Sequence, residues 1–282
     1  MKIALIPDEY TQDPFTAFEL GTKWGYEQYE IRQVYRWRVP VCPQWVNDKT
    51  VAAVKAYGVK VTGISPGLFK PVMKTDGSRI PISVDTPAEI RRQIDEMLPQ
   101  CFELANRLGT KNITVFALAK ASACTAEQPP AIVIDSLAEA ASKAAAAGFQ
   151  LLLENGGGSW ADSGKASKAI IDAVNSEALR LTWDAANVAN AQLPEDPVKE
   201  GYALVKSVVR NVHVKDTKVV DGKSHWVMLG DGVVDWPAQI KRLKADKYKG
   251  FLTLEPHLQY EMEKGLIGMM ETYLTRIRGL IS

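Results

Sequence analysis

Histidine and cysteine are both scarce in this 282-residue chain, three of each. Cys42, Cys101 and Cys124 are odd in number, far apart and without a CxxC pair, which argues against a disulfide framework or a thiolate zinc site and predicts three free thiols. No window holds the roughly 20 uninterrupted apolar residues needed to cross a bilayer. The opening MKIALIPDEY has too few consecutive apolar residues for a signal segment and reads as a first strand. No membrane partner and a cytoplasmic location are therefore expected. Neither charge sign dominates: 34 basic residues face 33 acidic ones, for a formal charge of +1. Without a basic block to neutralise a run of phosphates, nucleic acid is not an expected partner. The glycine run at 156 to 158 lacks both the GxGxxG spacing and the lysine of a phosphate loop.

What is present is an ordinary globular composition, 46% apolar and 24% charged, able to bury a large core. Strand-like and helix-like runs alternate from end to end, the pattern of an α/β fold with a parallel sheet. The strand candidates are KIALIP at 2 to 7, YEQYEIR at 26 to 32, KVTGIS at 60 to 65, NITVFAL at 112 to 118, FQLLLEN at 149 to 155, LRLTWD at 179 to 184, VRNVHVK at 209 to 215 and GFLTLEP at 250 to 256. Eight is the number of a (β/α)8 TIM barrel, which needs about 250 residues, so a single domain over 1 to 282 is expected. The clearest helix runs from about Pro87 to Leu108, with Ile90, Ile94, Met97, Leu98, Cys101, Phe102 and Leu108 on one face. An alanine-rich helix is expected from Ser136 to Ala147, and a last one carries Leu266, Met269, Met270, Tyr273, Leu274 and Ile277. Two stretches exceed ordinary loops, 66 to 84 and 216 to 238. Both come after strand C-termini, the functional face of a barrel.

The strongest ligand-type residues fall at strand ends: Glu154 in LLLEN, Asp184 in LTWD, His213 in NVHVKD and Glu255 in LTLEP. Their separations of 30, 29 and 42 residues are one βα unit, one unit, and one unit plus the long loop. Consecutive strands would bring all four to one rim. An ionised carboxylate beside a buried apolar run is costly unless paired, solvated or bound to a cation. Any one of the four is most simply a salt bridge, but the set is explained jointly by one divalent cation. Three carboxylates and one imidazole favour Mn²⁺, Mg²⁺ or Co²⁺, with Zn²⁺ still compatible.

The motifs LLLEN, LTWDAAN, NVHVKD and LTLEP resemble those of the xylose-isomerase-like TIM barrel superfamily, also called the AP endonuclease family 2 type, and the resemblance spans essentially the whole chain. LGDGVVDW at 229 to 236 resembles the segment before the eighth strand in that superfamily. The superfamily includes sugar isomerases and epimerases, inosose and dehydroshikimate dehydratases, and endonuclease IV. The resemblance implies a metal bound by Glu154, Asp184, His213 and Glu255, and a small-molecule carbohydrate substrate. It further implies Glu154 and Glu255 as base and acid in an isomerase or epimerase working through an enediolate. It is compatible with a homo-oligomer. Two departures stand out. Many relatives carry histidine where this chain has Asn187, which cannot exchange a proton near neutral pH, and ENHG where it has Glu154-Asn155-Gly156-Gly157. With only His213, His225 and His257, the chain lacks the further histidines of the three-metal endonuclease IV cluster.

Residues two apart on a strand share a face, so Lys215 beside His213 and, if the strand runs that far, His257 beside Glu255 are candidate substrate contacts. A salt bridge to Asp216 or to a helix carboxylate is the plainer reading of Lys215, and a loop position that of His257. Either could protonate a departing hydroxyl, which would make the enzyme a dehydratase of a keto-polyol or keto-glycoside. Asn187 and Trp160 complete the candidate substrate contacts, Trp160 by stacking on an apolar sugar face. Glu30 and Arg32 on the second strand read first as a structural pair. A non-catalytic sugar-binding barrel is the remaining reading, and it predicts no metal.

Overall fold

The computed structural model describes residues 1 to 70, 86 to 121, 124, 126 to 257 and 265 to 282. All eight expected strands form, and they close into one parallel barrel. They are β1 (Lys2–Leu5), β2 (Gln28–Ile31), β3 (Lys60–Leu68), β4 (Asn112–Val115), β5 (Gln150–Glu154), β6 (Leu179–Asp184), β7 (Val209–Val214) and β8 (Phe251–Leu254). Closure is made by β1 on β8, with Lys2 opposite Phe251 and Leu5 opposite Leu254. Strands covered on both faces read as continuous apolar runs, which is why strict polar–apolar alternation is absent and LLL, FLTL and ITV occur instead. β6 is buried at every residue.

Helices shield the outside. The helical stretch over 86 to 108 buries Ile90, Ile94, Met97, Leu98, Cys101 and Leu108, and Phe102 stacks on Phe149 at 4.7 Å. It is broken by a π-type segment, Gln93–Met97. Pro99 supplies no N–H to the carbonyl of Asp95, so the α-ladder must widen there. The alanine-rich helix begins at Ala131, five residues earlier than expected, because Pro130 takes the position before its first turn. In the last helix, Gly265–Ile281, Leu266 lies exposed in the first turn while Met269, Met270, Tyr273, Leu274 and Ile277 are buried. Among the described residues no helix is long and apolar enough to cross a membrane.

Two small hairpins decorate the C-terminal rim. One comes after β2 and pairs Gln33–Val34 with Trp37–Arg38. The other gives structure to the long stretch after β7, pairing Asp216–Val220 with Lys223–Val227. Asp216 also anchors the loop beyond this hairpin: its carboxylate accepts from the backbone N–H groups of Thr217, Gly230, Gly232 and Val234. A Cβ at Gly232 would collide with Asp216 Oδ1, so the LGDG segment closes only over glycine there. Of the earlier long stretch, 71 to 85 lies outside the described residues.

Candidate metal centre

The barrel register delivers the four predicted residues to one place. Asp184 and His213 are direct partners across β6 and β7, Glu154 ends β5, and Glu255 lies one residue past β8, its N–H donating to Val214 O. All four are buried, and ligand atoms from each lie within 4.8 Å of one another.

The orientation of His213 is set from below. Its Nε2 lies 3.1 Å from Glu30 Oε2, across the barrel interior. Glu30 also accepts from Asn211 Nδ2 at 3.0 Å, and Asn211 in turn accepts from Thr253 Oγ1 at 2.7 Å. A carboxylate only accepts, so Nε2 carries a proton and Nδ1 is turned toward Glu255 Oε2 at 3.0 Å and Glu154 Oε1 at 3.5 Å. Among the described residues His213 Nδ1 has no hydrogen-bond partner although it is buried. Burial alone would lower the imidazole pKa, yet Glu30, Glu154 and Glu255 outweigh it and raise it well above the usual value. The site therefore favours a positive charge at this point.

Lys215 enters the same cluster. Its ammonium is 2.7 Å from Asp184 Oδ2 and 2.8 Å from Glu255 Oε2, and 5.0 Å from the ring centre of Trp226. Burial disfavours its charge, but Asp184 and Glu255 keep it protonated. Its partners are thus two metal-site carboxylates, whereas Asp216 is occupied with the loop N–H groups. Three carboxylates carry three negative charges and Lys215 balances one. The cluster stays net negative, since Arg32 is shared between Glu255 and the acids Asp8 and Glu9, and three carboxylates with an imidazole whose Nδ1 is directed among them fit a divalent cation.

Each carboxylate has a different surround. Asn187, in the first turn after β6, donates from its backbone N–H to Asp184 Oδ1 and from Nδ2 to Asn155 O at 2.8 Å and to Glu154 Oε1 at 3.4 Å. Asn155 and the Asp184 backbone exchange two hydrogen bonds of 2.8 Å, tying the ends of β5 and β6 together. Glu255 uses both oxygens: Oε1 accepts from Arg32 Nη1 at 2.5 Å and Oε2 from Lys215. Burial would raise its pKa, but Lys215, His257 and His213 hold it well below the usual carboxylate range.

Beyond β8 the strand does not continue to His257. After Pro256 the backbone turns, with His257 at φ +54, yet the ring stays at the site, Nε2 being 3.4 Å from Glu255 Oε1. Glu9, on the turn after β1, fixes it by accepting from the His257 N–H at 2.7 Å and facing Nδ1 at 3.0 Å. Arg32 joins Asp8, Glu9 and Glu255 in one ion-paired group. Trp160 is buried, its Nε1 has no partner among the described residues, and Lys120 lies over its ring at 5.2 Å. The aromatic that does face the cluster is Trp226 of the second hairpin, edge-on to His257 at 5.5 Å. His225 is exposed on the same hairpin, away from the cluster.

Glu30, Arg32, Glu9, Asn155 and Trp226 are thus parts of the site that reading the sequence left out or took as structural pairing. The signals were faint: an acid alternating with Arg32 on β2, and PDE directly after the first strand.

The family model for a xylose isomerase-like TIM barrel matches residues 17 to 271. No curated protein matches the sequence. Among solved structures, the IOLI protein with a bound zinc atom superposes with a TM-score of 0.76 at 18% identity, over 100% of this chain and 98% of that one. The probable 3-DHS dehydratase AsbF from Bacillus anthracis, involved in petrobactin synthesis, gives 0.74 at 17% identity, covering 99% of both chains. The 3-keto-D-glucoside 4-epimerase YcjR from E. coli gives 0.70 at 18% identity, over 99% of this chain and 98% of that one. At these identities the likeness is one of fold.

Proposed function

The chain belongs to the xylose isomerase-like TIM barrel family, and from that premise we propose that it is a metal-dependent isomerase or epimerase. It shifts a proton between adjacent carbons of a keto-sugar or keto-polyol. The observation that carries this reading is the convergence of Glu154, Asp184, His213 and Glu255 within 4.8 Å, with His213 Nδ1 directed into the cluster. A divalent cation held by these four residues would polarise a carbonyl and its neighbouring hydroxyl and stabilise the enediolate that proton removal creates. Mn²⁺, Mg²⁺, Co²⁺ and Zn²⁺ all suit the donor set.

The carboxylate surrounds divide the labour. Glu255, clamped by Arg32 and Lys215, is a poor proton acceptor and serves to bind and orient. Among the described residues Glu154 meets only Asn187 Nδ2 at 3.4 Å and His213 Nδ1 at 3.5 Å, longer contacts than those that clamp Glu255, so it is the base that removes the proton from carbon. Asp184 and His213 hold the ion. Trp226 offers an apolar surface over Lys215 for the carbon skeleton.

One observation favours a lyase as the second reading: His257, held by Glu9, presents Nε2 at the rim beside Glu255, where it could protonate a departing hydroxyl. The experiment is elemental analysis of the purified protein with and without chelator, then product analysis on ketoses and a keto-inositol. One divalent ion per chain and mass-conserving turnover that Glu154→Gln abolishes is the expected result. A dehydrated product selects the lyase. Metal content near zero in fully folded protein defeats both and leaves a binding protein.

A further inference from the structure

The metal ligands occupy the rim from β5 to β8, and the side of the mouth facing them, at β2 and β3, is lined differently. Arg38, the last residue of the first hairpin, lies there half-buried. Its Nε donates to Ser65 O at 3.0 Å and its Nη2 to Ser65 Oγ at 3.2 Å. Ser65 is itself buried on β3. Gly67, at φ +83, admits the guanidinium: a Cβ there would stand 3.0 Å from Arg38 Nε. One edge of the planar fork is thereby fixed, and the edge made by Nη1 and the second Nη2 proton makes no hydrogen bond among the described residues. The contrast with Arg32 is direct, since Arg32 is spent on Asp8, Glu9 and Glu255.

A second cation lies within the field of Arg38. Lys70, two residues past β3, places its ammonium 4.9 Å from the ring centre of Phe116. Although Lys70 is exposed as a residue, its ammonium is desolvated by the surrounding rim, and that together with the charge of Arg38 lowers its pKa to about 8. Desolvation and the charge of Arg32 likewise lower that of Arg38. Neither cation forms an ion pair among the described residues. The carboxylates whose field reaches them, Glu154 and Glu255, belong to the metal centre.

We propose that Arg38 and Lys70 form an anion subsite across the barrel mouth from the metal centre, and that the substrate is a keto-polyol bearing a carboxylate or phosphate remote from its ketone. A pre-set guanidinium edge matches two anionic oxygens at once, which a neutral hydroxyl cannot do. With its ketone at the metal centre, the rest of the substrate would run toward β2 and β3. This rests on the metal-site reading for the position of the ketone, but it is tested by binding alone.

The test is calorimetric titration of the Mn²⁺-loaded and the chelator-treated protein with three probes: 5-keto-D-gluconate, D-fructose 6-phosphate and D-fructose. At least one acid should bind roughly tenfold or more tighter than fructose in the loaded protein, and the tighter of the two identifies the group. Arg38→Ala should erase that preference and leave fructose binding unchanged. Arg38→Lys should restore part of it, and Lys70→Met should weaken it alone. The chelator-treated protein should retain the preference for the acid even though every affinity falls. Circular dichroism and melting temperature establish that the variants fold. Acids that bind no tighter than fructose, or a preference that survives Arg38→Ala in a folded protein, overturn the proposal. A protein that takes up one metal ion and isomerises neutral ketoses while showing no acid preference would sink this subsite and leave the proposed reaction standing.

Discussion

Glu30 reaches across the barrel interior to hold His213, its Oε2 3.1 Å from Nε2, although the two residues are 183 positions apart in the chain. The contact decides which imidazole nitrogen faces the carboxylates. Without it the ring could rotate or adopt the other tautomer, and Nδ1 would no longer be presented. Glu30→Ala should therefore cost roughly 10- to 100-fold in metal affinity, the range seen when a partner of a ligating histidine is removed. Glu30→Gln should cost less, because its amide oxygen can still accept from Nε2. Isothermal titration with Mn²⁺ checks both. Equal affinities in wild type and Glu30→Ala would show that the contact does not position the ligand.

The same surround makes metal binding pH-dependent. Since Glu30, Glu154 and Glu255 raise the His213 pKa well above its ordinary 6.5 against the effect of burial, the metal-free protein carries an imidazolium at neutral pH. The raised pKa contributes stability to the metal-free fold that is full below the unfolded value and is lost as pH rises through the folded one. An incoming cation must displace that proton. About one proton per ion should be released at pH 7, and affinity should fall as pH drops. Titrations in buffers of different ionisation enthalpy measure the release directly, and a release of zero would mean that His213 is already neutral.

How much of the molecule was legible depends on the range of the interactions. The eight strands were, because a strand buried on both faces must be apolar throughout, and LLLEN or LTLEP then marks its ligand by the abrupt change to a carboxylate. Convergence came from topology, since parallel strands end on one rim. The tuning of the site was not legible. Glu30, Glu9 and Arg32 act on residues about 180 to 250 positions away in the chain, and no local pattern encodes which residue meets which. His257 shows the limit from another side: an alternating strand would have carried it to the site, Pro256 and a left-handed turn intervene, and Glu9 restores the position by another route.

Glu9 gives a prediction for stability. Burial raises its pKa, but Arg32 and His257 outweigh this and hold it at about 2, against 4.5 for an ordinary glutamate. A depressed carboxylate contributes stability that is present above the unfolded value and lost as pH falls through the folded one, so the window runs from about 4.5 down to about 2. The contribution at neutral pH is on the order of 3 kcal/mol. Glu9→Gln should lower the denaturant midpoint at pH 7 and flatten the pH dependence across that window. An unchanged acid limb in chemical denaturation would assign the window to other groups.

Lys215 separates electrostatic balance from simple structural pairing. Its ammonium offsets part of the negative charge of Glu154, Asp184 and Glu255, and a divalent ion would offset more. Lys215→Met keeps most of the side-chain volume and removes the charge, leaving buried carboxylates uncompensated in the metal-free protein. That fold should lose about 3–5 kcal/mol, as when one partner of a buried ion pair is deleted. The metal should then repair the loss, because the cluster is one charge more negative and attracts the ion more strongly. Affinity for Mn²⁺ should rise by roughly tenfold or more, and saturating metal should return the melting temperature most of the way to wild type. Weaker metal binding in Lys215→Met would instead mean that Lys215 shapes the ligand geometry and that its charge is secondary.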